Sequence, residues 1–222
     1  MNEKPWILLV VLPLAAYVIG STPFGVLIAR ARNVDLRKQG SGNVGATNVG
    51  RVLGRPWGFL CFFLDVGKGL LPVVAAGLWL RPESDKPTIM VQGSLLAVSF
   101  GAIMGHIFSF YLRFRGGKGV ATSLGVVLGI YPYFTWAALA ALGVWIAVTS
   151  ISRYVSVGSI VAAISFLGFF AAFNHARLGE VWPLGAFAAV MVGLIVVRHR
   201  TNIRRLLAGT ENRIGRSKRA ET

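Results

Sequence analysis

ATSLGVVLGIYPYFTWAALAALGVWIAVTS, residues 121–150, is a long apolar run broken once, at Tyr131-Pro132-Tyr133. Proline removes a helical hydrogen bond and pushes the residue before it out of the α region, so the run is either one kinked crossing or a hairpin of two short helices turning at Pro132. The other segments able to cross ~30 Å of hydrocarbon are Trp6–Ala29, Trp57–Leu80, Thr88–Leu112, Ser156–Phe173 and Trp182–Val197. One crossing gives six spans and places the Arg-rich C-terminal region opposite the Arg-rich segment Arg30–Pro56. A hairpin gives seven spans and puts both on one face.

Cytoplasmic loops concentrate Lys and Arg, and this rule selects the hairpin. With seven spans, eighteen of the twenty-three basic residues share a face, and only Lys4, Arg81, Lys86 and Arg177 lie opposite, with Lys68 inside a span. The expected fold is therefore an all-α membrane protein with seven transmembrane helices, N-terminus outside and C-terminus cytoplasmic. Residues 1–211 read as one integral membrane domain and 212–222 as a basic, flexible tail. Each hairpin arm has only about fourteen residues, or ~21 Å of helix. Such arms require local thinning of the bilayer or burial against protein. The first span exceeds the length of a signal peptide's apolar core and lacks a clear cleavage site, so it reads as retained.

At 55% hydrophobic residues and a mean hydropathy of +0.64 the chain is too apolar for a soluble globule. A single cysteine, Cys61, excludes a disulfide framework, and three histidines without HExxH spacing point away from metal or cofactor. The net charge of +15 suits orientation and anionic lipid headgroups. With no soluble basic domain or reading motif, nucleic acid is not an expected partner.

Three polar constellations stand out against this background. Residues 41–51, SGNVGATNVGR, offer Ser41, Gly42, Asn43, Asn48 and Arg51, a hydroxyl, amides and a guanidinium with glycines that admit close backbone approach. Residues 105–119, GHIFSFYLRFRGGKG, bring His106, Ser109, Gly116, Gly117, Lys118 and Gly119. That stretch lacks the GxxxxGK[ST] spacing of a nucleotide loop, but its amides, Lys118 and the start of the next helix suit a phosphate. Residues 199–211, HRTNIRRLLAGTE, place His199, Asn202 and Arg205 on one helical face, and His199 is chemically able to accept a proton. Plain turns, topogenic charges and a capping histidine are the structural alternatives for each. Within the membrane, Asp65 and Lys68 are spaced i, i+3. They form either a self-neutralising structural pair or a pair whose Lys68 lines the polar site.

Together the three stretches, with GSTPFG at Gly20–Gly25 and DVGKG at Asp65–Gly69, resemble the bacterial acyl-phosphate:glycerol-3-phosphate acyltransferases, in order and spacing from Gly20 to Glu211. The resemblance implies a multi-pass enzyme of the bacterial cytoplasmic (inner) membrane with its active site on the cytoplasmic face. It would move a fatty acyl group from long-chain acyl phosphate to the 1-hydroxyl of glycerol 3-phosphate, giving lysophosphatidic acid and phosphate, the first acylation of phospholipid biosynthesis. Its implied partners are those two substrates, membrane lipids and an upstream acyl-phosphate-forming enzyme as supplier. Also by resemblance, Ser41 and Arg51 are essential, the glycines of the second motif bind the phosphate, His199 and Asn202 support activity, and Glu211 serves structure.

Two phosphates must then be held close together, so Arg51 and Lys118 have a physical task. Acyl phosphate is already activated, so direct attack without an acyl-enzyme suffices. The proton passes either to His199 or to an acyl-phosphate oxygen. The short hairpin near Pro132 is the expected lipid-side entry for the acyl chain. A transporter or channel for an organic phosphate is the rival reading, set against it by cations on one face and no internal repeat.

Overall fold

The computed structural model describes residues 7–80 and 88–215. Lys4, Arg81 and Lys86 from the outer-face charges, and residues 216–222 of the basic tail, lie outside the described residues. Among the described residues every regular element is helical. Helix α1 (Leu12–Ser21) breaks at Thr22-Pro23 and resumes as α2 (Phe24–Arg30); α3 (Ala46–Leu53) is a short helix ahead of α4 (Arg55–Trp79) and α5 (Ile89–Ile107). Then come α6 (Val120–Gly129), α7 (Thr135–Ser152), α8 (Val155–Phe173), α9 (Trp182–Arg198) and α10 (Arg200–Leu207).

Among the described residues five helical segments are long and apolar enough to cross a membrane: Leu9–Arg30, Arg55–Trp79, Ile89–Leu112, Thr135–Ser152 and Val155–Phe173. A sixth arises if α9 and α10, bent by 51° at His199, count as one broken span. The chain is thus a multi-span helical bundle. The break in residues 121–150 is real, but its arms are unequal, ten and eighteen residues rather than about fourteen each. Helix α6 stops early because Gly129, Tyr131 and Pro132 follow one another, and the Thr135 hydroxyl then donates to the Leu128 carbonyl at 3.0 Å across the turn. Ten residues rise about 15 Å, half the hydrocarbon thickness. Every residue of α6 is buried or half-buried, so protein contact rather than bilayer thinning accommodates it.

Glycines set the close packing that holds α6 in place. A methyl carbon added at Gly125 would lie 2.0 Å from the Val66 carbonyl oxygen, and one at Gly69 would lie 2.2 Å from that of Thr122. Helices α4 and α6 therefore touch backbone to backbone, a packing available only to the smallest residues. The same contact joins α1 to α5 through Gly20 and Gly105, so Gly20 of GSTPFG and Gly69 of DVGKG serve helix packing. One apolar core runs between α5, α6, α7, α8 and α9. A second, smaller core of Ile28, Leu36, Val44, Val49 and Cys61 supports the loop from 31 to 45.

Candidate active site

Asn48 organises the first motif. It is 1% exposed, and its Nδ2 donates to the carbonyls of Leu36, Gln39 and Asn43 while its Oδ1 accepts from the Ser41 amide at 2.8 Å and from Arg51 at 3.4 Å. A carboxamide committed at every position is a structural staple, and Asn48 shapes the loop at the wall of the cleft. It leaves the Ser41 hydroxyl with no hydrogen bond among the described residues, at the wall of a cleft that Asn43 and Arg51 also line. Gly42, at φ +71°, turns the chain outside that wall.

The second motif folds back onto α5. The Gly116 and Gly117 amides donate to the carbonyls of Ile107 and His106, at 3.0 and 3.1 Å, so they are not free for an anion. His106 sits behind the loop. Its Nδ1 is 3.0 Å from the Thr122 hydroxyl, and its Nε2 fills the space where a Cβ on Gly117 would stand. Ser109 donates to the Ser21 carbonyl at 2.5 Å and takes no part in the cleft. Gly116, Gly117 and Ser109 thus spend these groups on contacts within the protein and do not line this cleft. The cleft is lined instead two residues further on, by Lys118, Gly119, Val120 and Ala121, where α6 begins and its unpaired amides and dipole favour an anion. Arg198 locks the arrangement by donating to the Gly117 carbonyl at 2.8 Å.

Lys68 is also placed away from the cleft. Its ammonium lies 2.8 Å from Asp65 Oδ1 and 2.8 Å from the Thr22 carbonyl exposed by the α1–α2 break, with both side chains under 5% exposed. The two charges neutralise each other inside the protein, and the Lys68 ammonium is directed at Asp65 and Thr22. Asp65 and His106 touch the base of the cleft from behind.

The third motif supplies the opposite wall. Lys118 donates to Asn202 Oδ1 at 2.5 Å, Asn202 Nδ2 donates to Glu211 Oε1 at 2.6 Å, and the other oxygen of Glu211 takes Arg205 Nε at 2.8 Å. His199, 2% exposed at the knee between α9 and α10, has Nδ1 2.8 Å from the Ile195 carbonyl. A carbonyl only accepts, so Nδ1 carries the hydrogen and Nε2 keeps its lone pair. The charges on Lys118 and Arg51 are costly here. Burial, with Arg205, Arg51 and Arg198 adding to it against Glu211, pulls Lys118 down to about 8. Burial also lowers Arg51, opposed by Glu211. For Glu211 burial acts upward, but hydrogen bonds from Asn202, Arg205 and Ser156 overcome it and hold the carboxyl below its usual range.

Ser41, Asn43, Asn48, Arg51, Lys118, Gly119, His199, Asn202 and Glu211 thus converge on one cleft of about 230 Å³, from segments far apart in sequence. Three residues at or behind the cleft take roles that the sequence did not assign them. Ser156 donates to Glu211 Oε1 at 2.9 Å from the start of α8, Arg205 pairs with Glu211, and Arg198 clamps the glycine loop. Ser156 is one of several serines in an apolar run, and the two arginines read equally well as topogenic charge. From this polar end the cleft continues into an apolar arm between α7, α8 and α9, lined by Ala138, Ala141, Ala162, Phe166, Ala188 and Met191. Among the described residues no group of His, Cys, Asp and Glu could hold a metal ion.

Comparisons with known proteins agree with this geometry. The family model described as glycerol-3-phosphate acyltransferase matches residues 10–209. The glycerol-3-phosphate acyltransferase of Geobacter sulfurreducens is 42% identical over 203 residues, covering 91% of this chain and 96% of that one. Those of Aquifex aeolicus and Staphylococcus aureus (strain Newman) are 43% and 40% identical, covering 89% and 93% of this chain and 95% and 98% of theirs. The crystal structure of PlsY (YgiH), an integral membrane glycerol 3-phosphate acyltransferase, in its glycerol 3-phosphate form aligns with a TM-score of 0.79 at 41% identity. It covers 92% of this chain and 94% of that one. Its lysophosphatidic acid form aligns with a TM-score of 0.77 at 40% identity, over the same shares. With a match that spans nearly every element building the cleft, the chain belongs to the glycerol-3-phosphate acyltransferase family of integral membrane enzymes.

Proposed function

We propose that this acyltransferase takes its acyl group from a long-chain acyl phosphate and transfers it to the 1-hydroxyl of glycerol 3-phosphate, releasing lysophosphatidic acid and phosphate. One observation carries the reading: a single cleft joins a cationic end, built by Arg51, Lys118 and Arg205, to an apolar arm. An anionic head with a long hydrocarbon tail fits such a site, and a transported organic phosphate would have no use for the arm. We assign the phosphates to Arg51, Lys118 and the start of α6, and the glycerol backbone to Ser41, Asn43 and Asn202. The glycerol oxygen attacks the acyl carbon, the carbon–oxygen bond to phosphate breaks, and the cations stabilise the departing phosphate. The hydroxyl proton leaves either to His199 Nε2 or to a phosphate oxygen.

Seven apolar helices, counting the short α6, would put the N-terminus outside and the three motifs at the cytoplasmic boundary of the inner membrane. An acyl chain can then stay within the protein's apolar arm while its phosphate meets water-soluble glycerol 3-phosphate. The assay is phosphate release by purified protein in detergent, required to depend on both substrates. Release from acyl phosphate alone, or none at all with glycerol 3-phosphate present, refutes the reading. For the proton, His199→Gln is expected to keep at least a hundredth of the native rate if the phosphate oxygen accepts it. A larger loss together with disappearance of a titrating limb assigns the proton to His199.

A further inference from the structure

We propose that Phe134 is the floor of the acyl groove and sets the longest chain that the groove holds. This rests on the acyltransferase reading above and extends it to the choice of donor. The apolar arm is open because its walls carry alanine where larger residues would close it: Ala138 and Ala141 on α7, Ala162 on α8 and Ala188 on α9. Phe134 and Phe166 both line it and meet edge to face, with ring centroids 5.2 Å apart and an interplanar angle of 81°.

Phe134 is built not to move. Its ring is 0% exposed and makes a second edge-to-face contact, also at 5.2 Å, with Phe170, which lies behind the floor and outside the cleft. The backbone beneath it is tied as well. Asn174 Nδ2 donates to the Tyr133 carbonyl at 3.1 Å and to the Phe170 carbonyl at 2.9 Å, fastening the start of α7 to the end of α8. The turn at Pro132, expected to admit the chain from the lipid side, is therefore closed on its inner face by Phe134, Val126 and Ile130, all buried.

Two helices give the depth independently. From Ser156 at the polar end of α8 to Phe166 is roughly ten residue steps, about 15 Å, and from His199 back along α9 to Phe187 is roughly twelve, about 18 Å. Two tetrahedral bonds of about 1.5 Å between carbons advance roughly 2.5 Å, so the arm takes about twelve to fourteen carbons below the carbonyl. Longer donors must leave the groove or press against Phe134. Each methylene denied burial weakens the donor about fourfold.

The test measures kcat/KM for a graded series of acyl phosphates from about eight to about eighteen carbons, in native enzyme, Phe134→Ala, Phe134→Leu and Ala138→Leu. Deepening the floor is expected to raise the long-to-short ratio about tenfold or more. Ala138→Leu, which narrows the arm one turn above the floor, is expected to lower that ratio by a similar factor. The change should lie in KM rather than kcat. Phe134→Leu keeps the core filled and reads the same shift if Phe134→Ala fails to fold. Native enzyme with a graded profile, and superimposable profiles in Phe134→Leu and Ala138→Leu, would overturn the floor and leave the acyltransferase reading intact. No activity of the native enzyme at any chain length would overturn both.

Discussion

Raising the pH through about 8 should remove the charge of Lys118 in the empty enzyme, and with it much of the enzyme's hold on phosphate. The sign follows from the group: the ammonium exists below its pKa, and burial brings that pKa down from the ordinary lysine range to about 8. An ammonium and a phosphate charge about 4 Å apart attract by roughly 4 kcal/mol at an effective dielectric constant near 20, close to a thousandfold in affinity. The same interaction resists deprotonation in the complex by up to about three pH units. The profile of kcat/KM for glycerol 3-phosphate should therefore fall about tenfold per unit above pH 8, while kcat stays flat to beyond about pH 10. Phosphate release measured across that range, with Lys118→Arg as control, checks it. A guanidinium does not titrate there, so the limb in kcat/KM should vanish in Lys118→Arg even if the rate is lower. An unchanged basic limb in that variant would refute the assignment.

Asp65→Asn should destabilise the protein by about 3–5 kcal/mol in thermal unfolding, because it leaves the Lys68 ammonium buried without its partner. The double variant Asp65→Leu, Lys68→Met should recover most of that loss and keep the native KM for glycerol 3-phosphate. A folded double variant whose KM rises tenfold or more would instead place Lys68 on the substrate. Gly125→Leu should destabilise by about 3 kcal/mol or more, since its first side-chain carbon falls on the Val66 carbonyl. Gly93→Leu, with nothing within 4 Å, should be tolerated; equal melting temperatures for the two variants would contradict the close α4–α6 contact.

The helical membrane class was legible in hydropathy, and the break at Pro132 in local chemistry, because both are properties of adjacent residues. The unequal arms were not, since where α6 stops depends on Gly129 and on the Thr135–Leu128 bond across the turn. Motif residues led to the cleft because three Gly- and Asn-rich loops have few other uses in so apolar a chain. Their individual roles needed coordinates. Lys68 reads equally as half of a structural pair or as a lining residue, and its bond to the Thr22 carbonyl, forty-six residues away, is visible only in the fold. Gly116 and Gly117 read as a phosphate cradle, and nothing local announces that their amides donate to the end of α5. Ser156 has no local signature at all, and only the approach of Glu211 gives it a purpose.

Helix α6, which presents its N-terminus to the cationic end of the cleft, has no exposed residue anywhere along its length. It packs against α4, α5 and α7, and each of its residues is buried or half-buried. Its tilt and depth are then fixed by protein contacts alone, whatever the acyl composition of the host bilayer. An enzyme that feeds acyl chains into its own membrane thereby escapes a feedback in which its output would deform its active site. As growth temperature or diet remodels the surrounding lipid, the phosphate site keeps its shape.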